Sequence, residues 1–164
     1  MNLIVAVTMN WAIGKNNNLV FRTKEDMAFF RRMTQGKTII CGRKTLDSFP
    51  GGIPLPDRKN IVLTRNQDFK RDGVIVCHSK DEVIKKIAGE DFNSVMVVGG
   101  EEIYRLFLNE CRFAFVTKFN ILTSSADCFF PDLDENPDFS LLNIKSVGDF
   151  TEFCIYKNCT NFRY

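Results

Sequence analysis

Asp26 opens the run Asp26-Met27-Ala28-Phe29-Phe30. On a helix, residues four apart share a face, so the Asp26 carboxylate and the Phe30 ring lie together. A carboxylate beside aromatic rings is costly unless it meets a partner. The pair reads either as a helix cap with apolar neighbours or as a grip for a flat, hydrogen-bonding heterocycle, and taken alone it favours the cap. Three further clusters bring cations, hydroxyls or bare backbone: Gly42-Arg43-Lys44-Thr45, Thr64-Arg65 and Gly99-Gly100. The first and last sit where an apolar run gives way to a helical pattern. A helix start offers free N–H groups and a positive dipole end to an anion, and Arg, Lys and Thr add charge-assisted donors. Singly, a Gly-Gly pair is as readily a tight turn, and each cation a solvated surface charge. Three such clusters at successive strand ends are different, because neighbouring strands bring them within one ligand's length. A dinucleotide with an extra phosphate, NADPH, uses all of them.

The elements that must hold these residues alternate between strand and helix. Residues 3–7 form an apolar strand pattern, 8–22 read as loop, and a helix is expected over 24–33. Thr23 caps that helix, with Asp26 three residues on in the manner of a capping box. Strands are expected at 38–41, 60–64, 74–77, 94–98 and 112–119, with helices at 43–49, 79–88 and from Gly100 to residue 108. Ser79 and Glu82 form a second capping box. Residues 50–56 are a Pro- and Gly-rich loop. Two strand patterns without an intervening helix, 139–147 and 151–157, close the chain. Strand–helix alternation predicts an α/β fold with a mostly parallel buried sheet, helices on both faces and an antiparallel edge at the C-terminal end. Ligands of such sheets lie at the carboxyl ends of the strands.

Composition narrows the function classes. The chain has 164 residues, 45% hydrophobic and 26% charged, with 22 Lys and Arg against 20 Asp and Glu. That length predicts one domain over 1–164. A net charge of +2 gives no general attraction to nucleic acid or an anionic membrane. The six cysteines include no C-x-x-C pair, and His78 is the single histidine. Neither a zinc site nor a His-based triad is expected, and no metal is. Met1 runs directly into Leu3-Ile4-Val5-Ala6-Val7, without the basic start of a secretory signal. A cytoplasmic protein with reduced, mostly core cysteines is therefore expected.

Six stretches in order carry a resemblance over essentially the whole chain. They are Ala12-Ile13-Gly14, the Asp26…Phe30 helix, Gly42-Arg43-x-Thr45, Leu55-Pro56-x-Arg58-x-Asn60, Val98-Gly99-Gly100…Tyr104 and Asp127-x-x-Phe130-Pro131. Together the sequence resembles dihydrofolate reductase of the bacterial chromosomal type. The resemblance implies a three-layer fold, a central eight-stranded mostly parallel sheet flanked by four helices. It implies NADPH-dependent reduction of 7,8-dihydrofolate to tetrahydrofolate by a monomer that also binds antifolates such as methotrexate. Asp26 would hold the pterin and promote protonation at N5, with Phe21 and Leu19 completing the catalytic end of the cleft. Ile4, Val5, Ala6, Met27, Phe30 and Val98 would line the pterin pocket, and Thr117 would support Asp26 from behind. Phe49 and Leu55 would contact the aminobenzoyl ring, and Arg58 the α-carboxylate. On the cofactor side the resemblance implies Ala6, Ile13, Gly14, Gly42, Leu63, Val98, Gly99, Gly100, Glu101, Glu102, Ile103 and Tyr104. Arg43, Lys44, Thr45, Thr64 and Arg65 would hold the phosphates.

Residues 10–19 would form a mobile lid over the nicotinamide, and Trp11 inside it would report the movement by fluorescence. Three positions depart from the family pattern. Val20-Phe21 replaces the usual Pro-Trp, so the N–H that often holds a bridging water is absent. Glu101 stands where a third small residue is usual, and Glu102 where a cofactor-contacting Arg can occur. Two alternatives remain open at this point: a riboflavin-pathway pyrimidinone reductase of related fold, and a non-catalytic nucleotide-binding protein. The first has no need of Asp26, Phe30 and Arg58 together.

Overall fold

The computed structural model describes residues 1–160; the remainder of the expected 1–164 domain lies outside them. In chain order the strands and helices are β1 Asn2–Thr8, β2 Ala12–Lys15, β3 Asn18–Leu19, α1 Lys24–Thr34, β4 Thr38–Gly42, α2 Arg43–Asp47, β5 Lys59–Leu63 and β6 Val74–Cys77. There follow α3 Lys80–Ile87, β7 Val95–Gly99, α4 Glu101–Phe107, β8 Phe113–Phe119, β9 Cys128–Phe129, β10 Phe139–Val147 and β11 Thr151–Asn158. Eight strands form one sheet in the order β10-β11-β8-β1-β7-β4-β5-β6. The pairs among β8, β1, β7, β4, β5 and β6 are parallel, and the β8–β11 and β11–β10 pairs are antiparallel. The expected α/β architecture with its antiparallel C-terminal edge is the one observed.

Strand periodicity makes the three layers. Successive side chains on a strand point to opposite faces, and the two buried clusters divide on that rule. Leu3, Val5, Val7, Ile40, Ile61, Val95 and Val97 pack with Val83 of α3 and with Ile103, Tyr104 and Phe107 of α4. Ile4, Ile39, Cys41, Val62, Met96 and Val98 pack with Leu46 of α2 and with Phe29, Phe30 and Met33 of α1. Each parallel strand is thus apolar on both sides, which is why 3–7 and 95–98 read as unbroken apolar runs. Phe107 is wholly buried in the first cluster. Phe107→Ala is expected to cost about 3–5 kcal/mol, the usual range for emptying an aromatic core site. Urea unfolding would show this as a lower midpoint with an unchanged slope.

Residues 8–22 are not simply loop. Ala12–Lys15 and Asn18–Leu19 form a hairpin, and β2 also pairs with β9 in a second, three-stranded sheet. Asn16 and Asn17 make its turn in the left-handed region at φ 49° and 62°, which asparagine tolerates better than most residues. Helix α2 ends at Asp47 rather than at residue 49, and Phe49 is already extended at ψ 156°. The Ser79 cap forms as expected, accepting from the Glu82 amide at 3.2 Å. Glu82 returns the bond one residue early, to the His78 amide.

Four of the cysteines are buried, Cys128 is half-buried and Cys159 exposed, all with free thiols. Burial pushes Cys41 and Cys111 up to about 12 and Cys154 to about 11, so these thiols stay protonated. No helix among the described residues is long and apolar enough to cross a membrane.

Candidate active site

The cap of α1 is Thr23, whose hydroxyl accepts from the Asp26 amide at 3.1 Å. This separates the two readings of Asp26: the capping is done by Thr23, and the Asp26 side chain is turned into the protein, 6% exposed. Its carboxylate lies beside the hydroxyl of Thr117 on β8. That hydroxyl is fully buried and completes no hydrogen bond of ordinary geometry among the described residues. Burial pushes the Asp26 pKa above the usual carboxylate range, and Thr117 opposes this more weakly by favouring the charged form. Thr117 stands opposite Ala6 in the β1–β8 register, so the acid sits over the middle of the sheet. A concavity of about 350 Å³, lined by Arg22, Thr23, Lys24 and Met27, opens at the start of α1.

Three of the apolar residues expected around the pterin lie together with the two expected at the aminobenzoyl ring. Ile4, Val98, Phe30, Phe49 and Leu55 share one cluster, with Phe115 of β8 beside them. Val5 faces the opposite layer, and Met27 is 41% exposed. The loop carrying Leu55 is stapled by Asn60, which accepts from the Leu55 amide at 3.1 Å and donates to the Leu55 carbonyl at 2.9 Å. Asn60 also donates to the Arg58 carbonyl at 3.0 Å. Arg58 is held by Thr34 at 2.9 Å and by the Pro56 carbonyl at 2.6 Å. Burial and the neighbouring Arg31 charge both lower the Arg58 pKa. Two guanidinium groups in mutual repulsion suit an anionic group, and Arg31 is a residue that sequence reasoning passed over. Its place one residue past Phe30 was the available signal.

On the other side, several of the residues expected at the cofactor come close to one another. A side chain at Gly42 would meet Ile103 at 3.1 Å and the Gly100 amide at 4.0 Å, and one at Gly100 would meet the Thr45 hydroxyl at 3.2 Å. Gly99 has φ 113°, and a Cβ there would meet the Tyr104 ring at 2.9 Å. Only glycine fits this turn. Tyr104 lies behind it with its hydroxyl donating to the Ile4 carbonyl at 2.7 Å. Arg65 reaches across to Glu102 at 3.4 Å, joining the ends of β5 and α4. Arg43 is held by Asp47 at 2.9 Å, and Asp47 also pairs with Arg71 at 3.2 Å. Arg71 in turn donates to the Gly52 carbonyl. Asp47 was not anticipated, since only the folded loop brings Arg71 to it.

The lid region is more firmly seated than its sequence indicates. Trp11 is 5% exposed, stacked on Phe130 with centroids 6.1 Å apart, beneath the Lys118 ammonium at 4.4 Å. The exposed part is 15–19, where Asp127 holds the tip by accepting from the Asn16 amide at 2.9 Å. Ile13 is buried and Gly14 half-buried, while Leu19 and Phe21 are exposed. Phe21 packs edge-on against Phe119 at 4.9 Å.

Comparison with known proteins adds identity to this geometry. A family model described as dihydrofolate reductase matches residues 1–152. A dihydrofolate reductase of Heliothis virescens is 40% identical over 164 residues, covering 90% of this chain and 86% of its own. One of Haemophilus influenzae is 39% identical over 133 residues, covering 81% and 79%. Among solved structures, dihydrofolate reductase from Enterococcus faecalis complexed with NADP(H) and RAB-propyl matches at TM-score 0.85 and 27% identity, over 96% of this chain and 95% of that one. The buried acid over the sheet, the apolar wall and the glycine turn therefore sit in a chain that belongs to the dihydrofolate reductase family.

Proposed function

We propose that the protein reduces 7,8-dihydrofolate to tetrahydrofolate with NADPH, acting as a cytoplasmic monomer folded as one domain. The observation that carries the residue assignment is Asp26, a buried carboxylate freed from capping by Thr23, beside Thr117 of β8 and one helical turn before Phe30.

The residues at the ends of β4, β5 and β7 fit NADPH. Gly99 leaves no room for a side chain against Tyr104, and the bare backbone of the Gly99-Gly100 turn suits close approach of a ligand. Arg43, Lys44, Thr45, Thr64 and Arg65 supply donors for its phosphates. Ala6, Ile13, Gly14, Leu63 and Ile103 would line the rest of the cofactor site. When bound, NADPH supplies the hydride that C6 of the substrate accepts.

The chain's own residues orient and protonate. Asp26 accepts hydrogen bonds from the pterin N3 and 2-amino groups and favours proton gain at N5. Its raised pKa keeps a proton near the ring at higher pH than an exposed carboxylate would. Thr117 steadies the acid from β8. Phe30, Phe49 and Leu55 cover the flat rings, and Arg58 with Arg31 takes the glutamate carboxylate. Antifolates with the same ring and tail use the same pocket.

Steady-state NADPH oxidation with dihydrofolate, with a pyrimidinone carrying a ribosyl phosphate and with no substrate separates this reading from the two alternatives. Turnover with the pyrimidinone alone, or with neither, overturns it. Arg65 gives a sharper test of the phosphate end. Its side chain is 90% exposed and its Glu102 partner 81%, so solvent screens that pair and leaves Arg65 free to turn to a ligand. Arg65→Ala is expected to raise the NADPH KM about tenfold, the scale of one charge-assisted contact, and to leave the NADH KM nearly unchanged. Equal losses with both cofactors would remove Arg65 from the phosphate site.

A further inference from the structure

Glu101 is the first residue of α4, directly after the glycine turn. Its carboxylate points away from that turn. One oxygen accepts from the Phe129 amide at 2.9 Å, and the other pairs with Arg105 at 3.1 Å. Phe129 belongs to β9, the edge strand of the small sheet that carries the lid. The strands of that sheet have four, two and two residues. So short a sheet is marginal without support from the body of the protein. Its anchors are Trp11 and Phe130 in the core, Asp127 on the hairpin tip, and Glu101 on the free edge of β9.

We infer that Glu101 is a positioning residue that fastens the lid sheet to the helix behind the cofactor turn. The Phe129 N–H, which no strand takes up, is satisfied by a carboxylate whose charge Arg105 balances. One side chain thus ties together two parts of the cleft: the Gly99-Gly100 turn at the base of α4, and β9, which pairs with β2 of the lid. Losing the tie frees β9 to move from α4, and the lid with it, while the catalytic carboxylate stays in place. The inference rests on the reading that NADPH lies between turn and lid, and the test below separates the two.

The first measurement is amide hydrogen exchange on the parent protein, where the Phe129 amide is expected to be protected. An unprotected Phe129 amide overturns the tie before any variant is made. Glu101→Ala keeps a strong helix former in α4 and so preserves the fold. It is expected to speed exchange at residues 12–19 about tenfold, the scale of one charge-assisted hydrogen bond. It should also weaken NADPH binding and enlarge the deuterium isotope effect on kcat, because a loosened lid slows the hydride step. Glu101→Gln keeps an acceptor oxygen for Phe129 and should recover most of each loss. A purely structural role would lower Tm in both variants and leave the isotope effect unchanged, which overturns the inference. So would a Gln variant as impaired as Ala. A parent protein that binds NADPH but reduces no dihydrofolate overturns the functional reading, and the exchange data still decide the tie.

Discussion

Asp26→Asn is expected to lose about 10²–10³-fold in the hydride step near neutral pH, the usual scale for removing a positioned proton donor or acceptor. The loss should shrink as pH falls, because solvent can then protonate N5 of the substrate without help. Stability should move the other way. Burial raises the Asp26 pKa in the folded protein. The folded chain therefore holds this proton at pH values where the unfolded chain has released it. The stability that comes from the protonated acid is fully present below the ordinary carboxylate pKa and is lost as pH rises through the folded value. Asparagine has nothing to ionise and fills nearly the same volume. Asp26→Asn should thus melt at the same temperature as the parent or higher, with the gap opening as pH rises from acid toward neutral. A residue kept for function at the expense of stability behaves in this way. Melts across that range, paired with single-turnover rates, test both halves. A flat pH–rate profile with near-parental turnover would reduce Asp26 to a structural acid.

Asp26 also shows how far the sequence could be read. Its spacing from Phe30 and its place three residues after Thr23 were visible, but those facts taken alone favour a cap over a ligand contact. Only the fold decides, by giving the cap to the Thr23 hydroxyl and placing Thr117 of β8 beside the acid. The large sheet was legible because its parallel strands bury both faces, so residues 3–7 and 95–98 are apolar without a break. The small sheet was not. A four-residue strand paired with two-residue strands has no period to detect, and β2 and β9 meet only through distant chain. For the same reason Trp11 read as part of a mobile lid, although it is stacked against Phe130 in the core. Asp47 escaped notice, and Asn60 and Asp127 stood in motifs without a role of their own, because what they do depends on loops folding toward them. Glu101 was visible only as a departure from the family pattern, and its hydrogen bond to Phe129 gives that departure a use.

A 2,4-diaminopteridine such as methotrexate is expected to bind tightly and compete with dihydrofolate, and to lose about 10²–10³-fold in affinity in Asp26→Asn. The ring is more basic than the substrate's pterin, so it can take up a proton and present a cation to the Asp26 carboxylate. A charge-assisted pair of this kind is roughly twice as strong as neutral hydrogen bonds. In a buried site, removing one partner leaves the other charge unmatched, at a cost of about 3–5 kcal/mol. The surroundings reinforce this. Asp26 is 6% exposed, with Phe30 one turn further along α1, so water does little to screen the pair. The pair also reverses the direction in which burial moves the acid. Asp26 alone is pushed toward its protonated form, whereas a bound cation favours the carboxylate. Binding at a pH where the free inhibitor is neutral and Asp26, even with its raised pKa, is ionised should therefore take up a proton; at a pH where Asp26 is still protonated, its proton passes to the ring and the net uptake vanishes. Calorimetry in buffers of different ionisation heat reads that proton as a buffer-dependent enthalpy. In Asp26→Asn the uptake should disappear along with the affinity. Binding should also be tighter with NADPH present, because both ligands favour the closed cleft, and the same factor must then appear in NADPH binding when the inhibitor is present. Affinity indifferent to Asp26, or binding with no proton taken up where Asp26 is ionised, would mean that the ring lies elsewhere, and the pterin pocket assigned to Asp26 and Phe30 would have to be abandoned.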